Sequence, residues 1–268
     1  MKKNIWILCI GLFAAFMAWV FWANTALQTN IVTLEEEFLP EAFDGYRIAH
    51  VSDFHNANLT DKLIAQLEEA DPDIICITGD LVDCRRSNLE IAIDFAVKAV
   101  EIAPCYYVTG NHEVRLPKER YTELLHGLES CGVIVLKDQA VILSKDNEEI
   151  ALAGHSWGAT DSVGSISDFS GYQILLSHQP ETFDDYVSAE YDLVLSGHAH
   201  GGQFRLPFLG GLYAPSQGIF PKYDEGVHSD GRTDMIISRG IGNSTIPLCF
   251  NNRPELIVVV LESLTVEA

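Results

Sequence analysis

Positive charge is scarce in this chain. Its 268 residues hold 17 Lys and Arg against 38 Asp and Glu, a formal net charge of −21. A surface so acidic repels a phosphate backbone, which argues against nucleic acid as a partner. Between Lys3 and Arg47 there is no basic residue. The six cysteines, at 9, 76, 84, 105, 131 and 249, show no C-x-x-C spacing, so neither a thiolate zinc knot nor a disulfide framework is legible in them. Two catalytic motifs are missing as well. Ser196 lacks the G-x-S-x-G elbow of a strand-to-helix nucleophile. His112-Glu113 opens like a zincin helix, but H-E-x-x-H needs histidine at position 116, which is Leu116. There is no internal repeat and no low-complexity tract. With 47% hydrophobic and 21% charged residues the composition is globular, and the length suits one sizeable domain with a small attachment.

That attachment is N-terminal. Ile5 to Ala23 carries no charge and includes Trp6, Trp19 and Trp22. It is long enough to cross a bilayer core as one helix. Lys2 and Lys3 precede it, while Glu35, Glu36 and Glu37 come after it, so the positive-inside bias puts the N-terminus in the cytoplasm and the rest outside. Ala23 and Ala26 give no clean A-x-A cleavage site and the apolar run outlasts a usual signal core, which favours an uncleaved single-pass anchor in the cell membrane. The expected division is 1–23 as cytoplasmic lysines and transmembrane signal anchor, 24–45 as connector, and 46–268 as the main domain.

From residue 47 the chain alternates. "RIAHVS" is a strand candidate. "TDKLIAQLEEA" sets Leu63, Ile64 and Leu67 on one helical face, with Thr60 as a candidate N-cap. "DIICIT" is the next strand, 88–101 an amphipathic helix, "CYYVT" a strand, 117–130 a helix and "GVIVL" a strand. Such alternation predicts parallel βαβ units. The second half reads as a hairpin around Lys145 to Asn147 and then four strands, "YQILLS", "DLVLS", "DMIIS" and "ELIVVVL", with fewer helices between them. The expectation is an α/β fold of two packed sheets with helices outside.

The residues that end each apolar run are the informative ones. "IAHVS" leads into Asp53-Phe54-His55; "IICIT" into Gly79-Asp80, with Asp83 three residues on; "CYYVT" into Gly110-Asn111-His112-Glu113; "YQILLS" into His178; and "DLVLS" into Gly197-His198-Ala199-His200. Sites in open α/β sheets collect at the carboxyl ends of strands, so five such endings would surround one pocket. In D-x-H and H-x-H, alternate residues point to the same side and reach one ion together. Carboxylates, a carboxamide oxygen and imidazoles suit Mn, Fe or Zn. Each fragment alone has a bland reading, a surface turn or a solvated loop; their order and shared position after β runs point to two divalent ions. His50, His126 and His228 are expected to be structural, in a strand, on a helix and in a loop. His155 lies after a strand and is a candidate substrate contact. Arg205, Arg239 and Arg253 are candidates for phosphate, with pairing to the many acids as the alternative. Loops 155–170 and 204–232 are where specificity would reside.

The series D-x-H, G-D-x-x-D, G-N-H-E, a single His and G-H-x-H resembles the calcineurin-like metallophosphoesterases across about residues 47–262. The flanking "LPEAFDGYRIAHVSD", "HAHGGQFRLP" and "SRGIGNSTIPLCFNNRPEL" resemble its membrane-anchored bacterial branch, the YkuE/YaeI-like phosphodiesterases. One departure is Cys249, where that branch would carry arginine. The resemblance implies a four-layer α-β-β-α sandwich of two mixed sheets. It also implies a first ion held by Asp53, His55, Asp80 and His200, and a second held by the bridging Asp80 with Asn111, His178 and His198. His112 would be the catalytic histidine, protonating the leaving oxygen or stabilising the transition-state charge. Asp83 and Glu113 would orient these groups by hydrogen bonding. The implied reaction is hydrolysis of a phosphate ester, of diester type, by a hydroxide bridging two divalent metals, with a wall polymer or a lipid-linked phosphate as substrate. Two other readings stay open on the sequence: a pyrophosphatase of the UDP-2,3-diacylglucosamine hydrolase type, which needs a cytoplasm-facing site, and a non-catalytic metal-binding surface module.

Overall fold

In a computed structural model that describes residues 2–159, 166, 169–243 and 248–264, the alternation resolves into two six-stranded mixed sheets packed face to face. A long helix α1 (Lys2–Thr25) comes first, then β1 (Gln28–Glu36), β2 (Tyr46–Val51), α2 (Thr60–Ala70), β3 (Ile74–Ile77), α3 (Leu89–Val100), β4 (Cys105–Tyr107), the single turn α4 (Asn111–Val114), α5 (Lys118–Ser130) and β5 (Ile134–Val135). The second half supplies β6 (Ala140–Lys145), β7 (Glu148–His155), β8 (Gln173–Ser177), α6 (Phe183–Ser188), β9 (Leu193–Ser196), β10 (Gly226–Asp230), β11 (Thr233–Ile237) and β12 (Glu255–Ser263).

The first sheet has the order β1-β12-β2-β3-β4-β5, and β2 through β5 are mutually parallel. The second has the order β10-β11-β9-β8-β7-β6, with β11, β9, β8 and β7 parallel and antiparallel strands at both edges. Successive side chains of a strand face opposite ways, and the packing obeys that period. Ile48, Ile74 and Cys76 point between the sheets, where they meet Ile150, Leu152, Ile174 and Leu195. Ala49, Val51, Ile75 and Ile77 point outward against Leu63 and Leu67 of α2, Phe95 of α3 and Leu124 and Leu128 of α5. The far face of the second sheet, Leu175, Val194, Met235 and Ile237, is covered by Phe183 and Tyr186 of α6. The result is the four-layer sandwich, with the short helix α6 forming its fourth layer among the described residues.

Several local expectations shift. Thr60 is the first residue of α2, not its cap; Leu59 precedes it and no side chain caps that end. For α3, Asn88 accepts the Glu90 N–H in the N-cap role. His228 lies in β10, not in a loop. Residues 24–45, read as a connector, contain β1, which pairs in parallel with β12 over nine residues as the edge of the first sheet. Its partner lies more than 220 residues away, so no local pattern announces the pairing.

Helix α1 is apolar and exposed along most of its length, and by length and composition it is able to cross a membrane. Its C-terminal end is docked: Val20 and Ala23 are buried, the Trp19 ring lies 5.3 Å from Phe250, and Asn24 accepts from the Cys249 N–H at 2.7 Å.

At the other end of the sheets Glu36 is buried beside Tyr172, Asp234 and Asp192. Burial, reinforced by the two aspartates, pushes its carboxyl up to about 7 against the opposing influence of the Tyr172 hydroxyl and Arg232. An unfolded glutamate ionises near 4.5, so between 4.5 and 7 the folded state holds more protons and stability falls as pH rises. Glu36→Gln is therefore expected to melt a few degrees above the parent at pH 8 and level with it near pH 4.5, read by thermal unfolding across that range. Equal gains at both ends would refute this assignment.

Candidate metal centre

All the motif residues lie just past the carboxyl ends of five strands: Asp53 and His55 after β2, Asp80 and Asp83 after β3, Asn111 to Glu113 in α4 after β4, His178 after β8, and His198 and His200 after β9. Because β2, β3 and β4 are parallel neighbours in one sheet and β8 and β9 in the other, their ends share one rim of the sandwich. The Asp53 carboxylate spans the two sheets, accepting the Ser52 hydroxyl at 2.6 Å and the His198 backbone N–H at 3.0 Å.

The backbone is strained here. Asp53, His55, Asp80, His198 and His200 all have left-handed φ, between 46° and 68°. That region is costly for residues with a side chain, although Asp, Asn and His tolerate it best, and such strain gathers at functional sites. Two glycine contacts make the close approach of the loops possible. A Cβ on Gly197 would strike Ser52 Oγ and come within 2.5 Å of Asp53 Oδ2. A Cβ on Gly110 would strike the Asp80 carboxylate. The sequence alone does not show that these glycines clear space for two carboxylates.

Side-chain ends converge tightly. His200 Nε2 lies 3.2 Å from Asp53 Oδ1 and 3.2 Å from His55 Nε2. His55 Nε2 is 3.6 Å from Asp80 Oδ2, and His178 Nε2 is 3.3 Å from the same oxygen. Ligand atoms of three groups, Asp53/His55/His200, His55/Asp80/His112 and Asp80/His178/His198, each lie within 4.8 Å of one another and could hold an ion. Asp80 and His55 belong to two groups each, so the groups are contiguous. Among the described residues, Asp53 Oδ1, Asn111 Oδ1 and His178 Nε2 are buried without a well-directed hydrogen bond. Orphaned polar atoms of that kind cost about 1–3 kcal/mol apiece unless something pairs with them. A divalent cation satisfies them, and the mixed carboxylate, carboxamide and imidazole donor set is of the right hardness. The residues therefore fit a pair of cations.

The electrostatics agree. Burial opposes ionisation of Asp53 and Asp80, yet the facing imidazoles, His200 and His178 for Asp53 and His178 for Asp80, hold both carboxyls well below the usual carboxylate range. Burial would likewise depress His178, but Asp80 and Asp53 hold its proton to about 10. The carboxylates that draw a proton there would equally draw a cation. His198 and His200 are pushed down by burial, to about 3 and about 4, and so present neutral nitrogen lone pairs.

Around this cluster the remaining residues take supporting positions. Glu113 turns away from the imidazoles and its carboxylate accepts the backbone N–H groups of Asp80, Val82 and Gly110 at 2.9, 3.1 and 2.7 Å. It ties the loops after β3 and β4 together. His178 is oriented by its Nδ1–H, donated to the Thr78 carbonyl at 2.6 Å. His112 Nδ1 accepts the Cys84 N–H at 3.1 Å and lies 3.6 Å from Asp83 Oδ1. With Nδ1 an acceptor, neutral His112 carries its proton on Nε2, 4.0 Å from Asp80 Oδ2. Burial lowers the His112 pKa further and keeps that neutral form.

Sequence reading missed Trp157. Its ring lies 4.7 Å from that of His198 and 5.7 Å from that of His178, closing the cluster on the second-sheet side. His155, the candidate substrate contact in the same segment, has its Nδ1 3.9 Å from Asp138. Residues 160–165, 167 and 168 of that loop lie outside the described residues. The three candidate phosphate arginines are engaged structurally: Arg205 with Asp224 and Glu225, Arg239 with Glu225 and Glu255, and Arg253 over Trp22 while donating to the Ala26 carbonyl. Cys249, at the departure from the branch pattern, is buried and donates its thiol to Asn243.

Gly197→Ala tests the clearance argument. Its methyl must displace Ser52 and Asp53, so the variant is expected to lose about 1–3 kcal/mol in urea unfolding and most of its bound metal by elemental analysis. Parent-like metal content would show that the close approach is not needed.

Comparison with known proteins places these features. The family model described as calcineurin-like phosphoesterase matches residues 46–202. The chain is 30% identical over 253 residues to the uncharacterized metallophosphoesterase YkuE of Bacillus subtilis, covering 88% of this chain and 86% of that one. It is 30% identical over 215 residues to phosphodiesterase YaeI of Escherichia coli, covering 79% and 78%. It is 28% identical over 274 residues to a transmembrane protein with metallophosphoesterase domain of Danio rerio, covering 89% and 59%.

Proposed function

The chain belongs to the calcineurin-like phosphoesterase family and is a metallophosphoesterase, and from that premise we propose that it is a membrane-anchored enzyme cleaving phosphodiesters outside the cytoplasm. The observation that carries the catalytic part is the buried, contiguous set of carboxylates and imidazoles around Asp80. In this reading Asp53, His55, Asp80 and His200 hold one divalent cation, and Asp80, Asn111, His178 and His198 hold the second. When bound, such a pair supplies Lewis-acid polarisation of phosphate oxygens and a water acidic enough to attack phosphorus near neutral pH.

The chain's own groups do the rest. His112 presents Nε2–H to the phosphate, a donor fixed by the Cys84 N–H on its other nitrogen. A donor aimed where negative charge develops stabilises the transition state more than the ground state. Glu113 holds the loops after β3 and β4 at a constant separation through three backbone hydrogen bonds. Asp83, whose carboxylate accepts the Arg85 N–H at 2.9 Å, holds the turn that carries Cys84, the donor to His112 Nδ1. Trp157 covers His178 and His198 and keeps water away from that side.

For the membrane part, the support is α1 and the placing of Lys2 and Lys3 before it. The charge bias puts residues 46–268 on the far side, where wall polymers and lipid-linked phosphates present diesters. A similar protein bears the name phosphodiesterase, which agrees with diester over monoester.

Two measurements test this reading. The full chain with added Mn²⁺ is expected to hydrolyse a bis-aryl phosphate and to stop on chelation. Asp80→Asn keeps a residue that tolerates φ 52°, so it should fold, yet lose about 10³-fold or more in kcat together with metal; His112→Ala should lose about 10²–10³-fold with metal retained. A fully active Asp80→Asn would overturn the metal assignment. Protease added to intact cells is expected to digest residues 30–268, and protection of that segment would reverse the orientation.

A further inference from the structure

The docked end of α1 sets a depth for the domain. A bilayer core about 30 Å thick takes roughly 20 helical residues at about 1.5 Å each. Counted from Ile5, such a span ends near Asn24. Trp19, Val20 and Ala23 then lie inside its last turn and a half, yet these are the residues packed against the domain. Whatever touches them is held at the lipid interface. Trp19 meets Phe250, Phe250 bridges Phe204, and the Arg205 N–H donates to the Phe250 carbonyl at 3.0 Å.

From Arg205 the chain leaves directly into two small antiparallel ribbons, Arg205–Leu206 with Gly210–Gly211 and Tyr213–Ala214 with Gly218–Ile219. The turn of the first ribbon and the paired strands of the second carry bare apolar side chains. Phe208 is fully exposed, Ile219 is 71% exposed, and Leu209, Tyr213 and Phe220 are also exposed. Phe208 is three residues from Arg205, a reach of at most about 11 Å. Soluble surfaces seldom gather apolar side chains this way without a partner.

Charge supplies the second argument. In a chain of net charge −21, residues 206–221 carry no charged side chain, and neither do residues 240–252, the segment containing Phe250. The second stretch contains Phe250, which meets Trp19 of α1, and the first begins next to Arg205, which bonds to Phe250. An acidic surface brought against anionic headgroups would be repelled, so a neutral apolar window is what seating there requires.

We propose that the ribbons of residues 206–221 form a second membrane contact, seated in the lipid interface beside α1; this rests on the reading of α1 as a membrane anchor. The contact bears on the metal centre, because Ser216, in the turn of the second ribbon, lies 3.1 Å from His198 Nε2. Seating the ribbons holds that wall of the site at the membrane surface and favours an ester presented there.

The test uses the full chain reconstituted in phosphatidylcholine–phosphatidylglycerol vesicles with and without brominated acyl chains, which quench nearby tryptophan. Phe208→Trp adds emission to that of the parent, and most of the added intensity is expected to disappear in brominated vesicles. Ile142→Trp, on the outer strand β6, is expected to keep its added intensity. Leu209→Trp serves as a second probe if Phe208→Trp loses activity toward the soluble aryl phosphate. If the parent's α1 tryptophans are quenched but both ribbon probes are not, the second contact is overturned and the anchor stands; that is also the result expected if another copy of the chain covers the ribbons. If neither the parent nor the probes are quenched, the anchor reading and this contact fall together.

Discussion

The structure turns on the meeting of two sheets at Asp53. Its carboxylate, at the end of a first-sheet strand, accepts the backbone N–H of His198 at the end of a second-sheet strand, and lies against His200. This polar contact sits above the apolar layer of Ile48, Ile174, Leu195 and their neighbours. The apolar layer sets the distance between the sheets, and the carboxylate contact sets which ends face each other. Without both, two halves of the chain would each carry an incomplete set of donors.

The arrangement is costly on its own. Two carboxylates and several imidazoles are buried within a few ångströms, on a backbone forced into left-handed conformations at five of them. Proteins tolerate such strain when the surroundings over-determine it. Here those surroundings are parallel strands held in register, Glu113 binding three amides, and glycines that clear space for Asp53 and Asp80. Cations in the cluster would pair the remaining buried atoms and offset much of the repulsion, so folding and metal loading are expected to be coupled.

The attachment and the domain are less separate than their compositions suggest. The end of α1 packs on Phe250 and is tied to Cys249 through Asn24, and β1 completes the first sheet. With α1 as the proposed membrane anchor, a joint of this kind would restrict how the domain tilts against the bilayer. The domain would face lipid with one definite surface, the one that carries the uncharged ribbons.

By itself the sequence determined strands β2 to β9, β11 and β12, the three main helices and the residues that end each of the site-bearing strands, because these depend on periodicities of two and 3.6 residues and on near neighbours. It showed a charge-free span long enough for a membrane and an unbroken series of metal-binding motifs. Tertiary structure alone decided that β1 belongs to the first sheet, that Trp157 covers the imidazoles, and that Cys84 sets the His112 tautomer. It likewise decided that Arg205, Arg239 and Arg253 are engaged by neighbouring groups. Each of those outcomes depends on which distant segments come within a few ångströms, and separation along the chain carries no trace of that distance.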